Sequence, residues 1–219
     1  MKRSRRRTPN LKRKNPGLEP KRWFILFCEG EKTEIEYFKA IGRICSSTLI
    51  AVEPYGGEGV PYTIAEKAIE KAKSLGLTPK SRRKKDSYEK RDQVWAVFDR
   101  DEHPRFNEAV IKCEEQKVGV ARSNPCFEIW LILHERDYNR PEDRHAMQKL
   151  LAQLRPEYNP NGDKTPDCVD LVKRVEEAEQ RGERGLQNRE SGGDPYGNPS
   201  TTVGRLTRAI READRLATK

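Results

Sequence analysis

No stretch of this 219-residue chain approaches the ~20 consecutive apolar residues that a helix needs to cross a bilayer. The N-terminal run MKRSRRRTPNLKRKNPG has basic residues but no apolar segment behind them, which excludes a secretory signal. Cysteine is scarce and badly placed for pairing. Cys28, Cys45, Cys113, Cys126 and Cys168 are odd in number and show no C-x-x-C spacing. They exclude a disulfide framework and a zinc site of ordinary spacing, and they read as reduced thiols of a cytoplasmic protein. The Gly56-Gly57-x-Gly59 stretch could cradle a phosphate, but no Gly-Lys-Ser/Thr follows it, so a P-loop is excluded. Internal repeats are lacking, and strand signals vanish after about residue 136.

What the chain does have is charge. Asp, Glu, Lys and Arg make up 36% of it, against 34% hydrophobic residues, and the net charge is +9. That excess is local. Residues 1–22 hold ten Lys or Arg against the single acid Glu19, while 23–219 hold 34 of each sign. Residues 1–22 are therefore expected to form a disordered basic arm that touches phosphates non-specifically, with affinity falling as salt rises. A merely solubilising tail is the plainer alternative. A second basic cluster, Lys80, Arg82, Arg83, Lys84 and Lys85 with Lys90 and Arg91, falls between two regular elements. It reads as a loop suited to holding a polyanion.

Residues 23–136 alternate strand and helix patterns. Trp23-Phe-Ile-Leu-Phe-Cys28 and Val94-Trp-Ala-Val-Phe98 are continuous apolar runs of strand length, the mark of strands buried on both faces. Shorter strands are expected near Leu49–Glu53 and Val118–Ala121, and Thr33/Glu36 and Thr63/Glu66 read as capping boxes opening helices. Pro104 suits another helix start, and Ser123 or Asn124 could cap the helix carrying Phe127 to Leu133. The order β-α-β-α-β-α-β-α predicts an α/β fold with a parallel sheet and right-handed crossovers. Residues 137–219, with helical stretches over 142–154, 166–182 and 200–217, form a helical C-terminal extension packed on the sheet.

Two of the buried strands end in acids, Glu29 after the first and Asp99 and Asp101 after the third. Ligands of open α/β sheets gather at the carboxyl ends of strands. If those strands are neighbours, three carboxylates converge, at a cost that a cation removes. Mg²⁺ takes one or two carboxylates together with water and phosphate oxygens, which makes this a phosphoryl-transfer site in outline. An isolated Asp-x-Asp is more often a solvated turn; Glu29-Gly30 at the end of a second buried strand argues against that here. Around this centre Glu31 and Glu34 could each line a metal site or serve the helix dipole, the dipole being the first reading of Glu34. Lys32 and Arg100 are placed to meet phosphate. Asn124 is explained by capping or by substrate contact, and Glu128 is conspicuous on an otherwise apolar helix. His103 could relay protons, although exposed histidines commonly do nothing; His134 and His145 suggest no role.

The runs Phe27-Cys-Glu29-Gly30-Glu31-Lys-Thr-Glu34 and Val97-Phe-Asp99-Arg-Asp101 resemble the two motifs of a Toprim domain. The match narrows with Tyr37-Phe38, Asp99-Arg-Asp-Glu-His103, Ser123-Asn-Pro-Cys-Phe-Glu-Ile-Trp130 and Asn198-Pro-Ser-Thr-Thr-Val203, which resemble the RloB family over nearly all of the chain except the basic arm. The resemblance implies a Toprim-like four-stranded parallel sheet flanked by helices. It implies a Mg²⁺- or Mn²⁺-dependent nuclease of an antiviral, abortive-infection system, encoded beside an AAA/ABC-type ATPase. In that pattern Glu29 is the general acid or base, and Asp99 and Asp101 hold the metal, with Glu29, Glu31 and Glu128 as further candidate ligands. Lys32, Arg100, Asn124, Arg82, Arg83, Lys84 and Lys85 are the substrate-binding candidates. RNA is favoured over DNA by analogy with related effectors that cut transfer RNA. Lacking a tyrosine-nucleophile domain, the chain is not expected to perform topoisomerase chemistry. The alternative is a non-catalytic nucleic-acid-binding or adaptor subunit for the ATPase; self-association is left open.

Overall fold

A computed structural model describes residues 21–82, 92–100, 103–162 and 165–218 of the protein. Four parallel strands form its centre: β1 (Arg22–Cys28), β2 (Ile50–Tyr55), β3 (Gln93–Asp99) and β4 (Gly119–Asn124), in the order β2-β1-β3-β4. β1 lies between β2 and β3, with Cys28 opposite Val97. The two strands with continuous apolar runs are thus adjacent, and both are covered on two sides. Phe24, Leu26 and Cys28 enter one core, while Ile25, Val94, Ala96 and Phe98 enter the other. Each large side chain so buried contributes about 1.5–3 kcal/mol.

Between the strands run α1 (Thr33–Ile44), α2 (Pro61–Ser74), a single-turn α3 (Pro79–Arg82) and α4 (Phe106–Glu115). α2 and α4 cover the face of Ile25 and Phe98. The other face is covered by α1 together with α5 (Glu128–Glu135), α6 (Arg144–Leu154), α7 (Cys168–Leu171), α8 (Val175–Ser191) and α9 (Val203–Ala217). Among the described residues no helix is long and apolar enough to cross a membrane. All five cysteines are free.

Several expectations need correction. The sheet has a fifth strand, β5 (Ser200–Thr201), which pairs antiparallel with β4. Two residues are too few to leave an alternation pattern, so the sequence read as purely helical there. Residues 137–219 are more than a layer on a finished sheet, since Met147, Leu151, Val175, Leu206 and Ile210 share one core with Leu26 and Val97. Neither capping box forms. α1 starts at Thr33 without a side-chain cap, and Glu36 pairs with Lys39 at 2.8 Å instead. α2 starts at Pro61, a residue whose missing N–H suits a first turn, so Thr63 already lies inside it. Pro104 precedes α4 by two residues, and Ser123 and Asn124 end β4 without capping α5. The boundary expected at 22/23 shifts by one residue, because Arg22 belongs to β1 and donates its N–H to Leu49 O at 2.7 Å.

Candidate active site at the carboxyl rim of the sheet

Because β1 and β3 are parallel neighbours ending at the same level, the residues that follow them meet. Glu29 continues the ladder for one step, donating its N–H to Val97 O at 3.0 Å. Its Oε2 then accepts the Asp99 N–H at 3.0 Å. Glu29 and Asp99 are therefore brought together as expected. Asp101, the third member of the expected set, lies outside the described residues.

The turn from β1 into α1 adds a third acid. Glu34, in the first turn of α1, accepts the Gly30 N–H at 3.0 Å and is only 6% exposed. A Cβ at Gly30 would fall 1.8 Å from the Glu34 carboxylate, so only glycine leaves room for this approach. Glu34 was expected to serve the helix dipole; it faces the cleft. Glu128, the first residue of α5, supplies a fourth carboxylate, 7% exposed.

Together with Glu31, Lys32, Thr33, Phe127, Arg144, Gln148 and Gly162 these residues line a cleft of about 450 Å³. Its electrostatics are lopsided. Burial pushes Glu34 up to about 7, with Glu128 and Glu29 adding to the rise. Burial likewise raises Asp99 well above the usual carboxylate range, and Glu34, Glu29 and Glu128 push it further. Arg144 opposes them, with Nη2 3.2 Å from Asp99 Oδ2. Like charges crowded at low dielectric favour protonation unless a cation joins them. Among the described residues no three His, Cys, Asp or Glu side chains form a ready-made metal cage.

Other candidates are placed differently. Lys32 is exposed at the mouth of the cleft, and Glu31 lines it. Arg100 turns away: its guanidinium donates to Tyr196 O and lies 5.8 Å from the Phe106 ring centre. Asn124 Nδ2 donates to the same Tyr196 O at 2.7 Å. Both tie down the 192–199 segment, with Arg122 stacked on Tyr196 at 4.3 Å from the ring centre, and Asn124 neither caps α5 nor lines the cleft. The glycine loop spends its amides on the rim. Gly57 donates to Gly30 O and Glu58 to Cys28 O, at 3.4 and 3.3 Å. It braces the Glu29 turn, which explains it without a phosphate. His103 sits on the turn into α4, its carbonyl accepting the Phe106 N–H at 3.2 Å. Arg83, Lys84, Lys85 and the Arg82 side chain lie outside the described residues, as does the basic arm up to residue 20.

Arg144, Gln148 and Tyr158 went unread in the sequence. Gln148 Nε2 and Tyr158 Oη donate to Glu128 Oε1 at 3.2 and 2.6 Å. The only hint was Glu128 itself, a carboxylate on an apolar helix that had to find partners.

A family model described as RloB-like protein matches residues 24–210, which takes in both strand-end acids and the helices that close the cleft. The chain belongs to the RloB-like family. A comparison with curated proteins and another with solved structures gave no match. The matched residues cover β1 from Phe24 onward, β3, α6 and Tyr158.

Proposed function

We propose that this RloB-like chain is a Mg²⁺- or Mn²⁺-dependent nuclease of the Toprim type, acting on RNA in preference to DNA within an antiviral system that includes a partner ATPase. The observation that supports it most is the contact between Glu29 and the Asp99 N–H at the ends of adjacent parallel strands. The β2-β1-β3-β4 parallel set agrees with a Toprim-like core, to which β5 is an addition. The ATPase and the defence setting rest on the family resemblance.

The donor chemistry suits a hard divalent ion. Every candidate ligand is a carboxylate, and burial with the neighbouring acids raises the proton affinity of Asp99 and of Glu34 beside it, which a dication would relieve. Asp99 would hold it with Glu29 and Asp101, and Glu31 and Glu128, which line the same cleft as Glu29 and Asp99, are further candidates. That no three-residue cage stands among the described residues is compatible with Mg²⁺, which keeps several waters and takes phosphate oxygens as ligands. When bound, such an ion neutralises charge developing on the phosphate and lowers the pKa of its water.

The chain's own groups account for the rest. Glu29, oriented by the Asp99 N–H, takes a proton from attacking water or gives one to the leaving oxygen. Lys32 at the mouth and Arg144 across the cleft bracket a phosphate between two cations. Phe127 closes the floor between α1 and α5, stacking edge-on against Tyr37 with centroids 5.8 Å apart. The basic arm and the 80–91 segment lend affinity for the polyanion without sequence choice.

The full chain is incubated with RNA or DNA in Mn²⁺ or Mg²⁺, alone and with its ATPase. Cleavage by the wild type and its loss in Asp99→Ala are the expected results. If the wild type cuts nothing under any condition, yet binds nucleic acid as well as Asp99→Ala does, the adaptor reading replaces this one.

A further inference from the structure

The cost of the acidic cleft falls unevenly on its members. Glu34 accepts the N–H of nearby Gly30, and Asp99 accepts from Arg144 on α6. Glu128 accepts from two side chains of the C-terminal half, Gln148 on α6 and Tyr158 in the segment after it. Both donate to one oxygen, Oε1. A carboxylate has about four lone-pair sites, so two donors on one oxygen fix the plane of the group without exhausting it. The hydroxyl belongs to one of the largest fully enclosed side chains, Tyr158, at 2% exposure, and burial with Glu128 beside it raises the phenol well above its ordinary range. It therefore stays a donor. Gln148 is 9% exposed and itself lines the cleft.

Stability alone is a poor reason for this arrangement. A third buried carboxylate beside Glu34 and Asp99 raises the proton affinity of both. Apolar residues at 128, 148 and 158 together would leave none of these buried groups unpaired, and replacing a whole buried polar set in this way is often neutral or stabilising. Costly local choices of this kind cluster where a site needs them.

We propose that Tyr158 and Gln148 are positioning residues that aim the Glu128 carboxylate into the cleft as a ligand for the divalent ion. This rests on the metal-dependent reading above. The C-terminal half thereby sets the geometry of a site whose other acids come from β1 and β3. Outer donors of this kind commonly matter by 10–100-fold in metal affinity.

The test uses the full chain and reads thermal unfolding during a Mn²⁺ titration, so it does not depend on cleavage. Tyr158→Phe and Gln148→Leu are each expected to raise the half-saturating Mn²⁺ concentration by about 10-fold or more. Glu128→Gln is expected to raise it at least as far. Tyr37→Phe is the control. Tyr37→Phe also removes a buried hydroxyl bond, to His134 at 3.0 Å in the same core, but that bond involves no carboxylate of the cleft, and the phenylalanine keeps the ring that packs on Phe127. It should lower the melting temperature in EDTA while leaving the Mn²⁺ midpoint in place. A wild-type midpoint retained by Tyr158→Phe and Gln148→Leu overturns the positioning role, as does an equal shift in Tyr37→Phe. If the wild type itself does not respond to Mn²⁺ or Mg²⁺, the metal-dependent reading fails and the positioning role with it.

Discussion

Two clusters of charge lie on the same helical side of this sheet and behave in opposite ways. At the junction of α5, α6 and α7, Arg155 meets Glu135 and Asp170 at 2.5 and 2.7 Å, and Arg174 meets the same two acids at 2.8 and 3.1 Å. With Lys173 on Asp170 and Glu157 on Arg155, three cations face three anions. Hydrogen bonds from Arg155 and Arg174 hold Asp170 down at about 2. In the cleft, Glu29, Glu34, Asp99 and Glu128 have Arg144 and the exposed Lys32 for company, and Glu34 rises to about 7. The balanced cluster needs nothing further and ties helices together. The unbalanced one is relieved by protonation or by a cation, and that imbalance is the physical ground on which the cleft is proposed as the functional site.

The sharpest way to break this contrast is to remove an acid from the cleft. Asp99→Asn is expected to abolish metal-dependent cleavage while raising the melting temperature of the metal-free protein, because a buried like charge has gone. Glu29→Gln should lower the cleavage rate by about 10²–10⁴-fold, the usual worth of a general acid or base. An Asp99→Asn protein that melts lower in EDTA would mean that the acid is paired for stability, as in the other cluster.

Next in size is the pH dependence of stability without metal. Glu34 has a folded value near 7 against an ordinary value of 4.5. The folded state thus keeps a proton that the unfolded chain has released, and stability is full below about 4.5 and lost as pH rises through about 7. The loss is about 3 kcal/mol. His134 acts in the reverse sense. Burial lowers it from 6.5 to about 3, so its contribution is full above 6.5 and lost as pH falls. The difference between wild type and Glu34→Gln, measured by denaturant unfolding from pH 4 to 8 in EDTA, isolates the carboxylate. It should grow with pH, and excess Mn²⁺ at pH 8 should shrink it.

How much of this was legible follows from where each interaction starts. The paired strands and the meeting of Glu29 with Asp99 could be read because each rests on a local signal, an uninterrupted apolar run ending in an acid. Arg144, Gln148 and Tyr158 gave no such signal. Their role depends on α6 packing against α5, a contact between faces of two helices that no spacing within either one records. Glu34 was only half legible, for a different reason. Its position in the first turn of a helix is explained equally well by the dipole, and only the close approach to Gly30 shows that it is buried. β5 was invisible because it is formed by pairing and not by pattern.

The balanced cluster supplies the third prediction. Arg155 is 12% exposed on its side chain, and Arg155→Ala leaves Glu135 with Arg174, and Asp170 with Arg174 and the more exposed Lys173. A loss of about 2 kcal/mol in denaturant unfolding is expected, typical of hydrogen bonds to charged groups, with the Mn²⁺ midpoint unchanged. A shifted midpoint would show that the two clusters are coupled through α6.

The smallest effect tests whether opposite charge by itself explains the contrast. Lys39 and Glu36 are an opposite-charge pair at 2.8 Å, as close as the Arg174 and Glu135 contact, but their side chains are 46% and 39% exposed. Water already screens each of them, and holding two long side chains in register costs entropy, so such pairs contribute little. Lys39→Ala should therefore change stability by less than about 0.5 kcal/mol at moderate salt. Were it to cost as much as Arg155→Ala, distance and sign would suffice to value a charge in this protein. Burial would then lose its place in the explanation, and the raised Glu34 and Asp99 carboxylates would no longer single out the cleft.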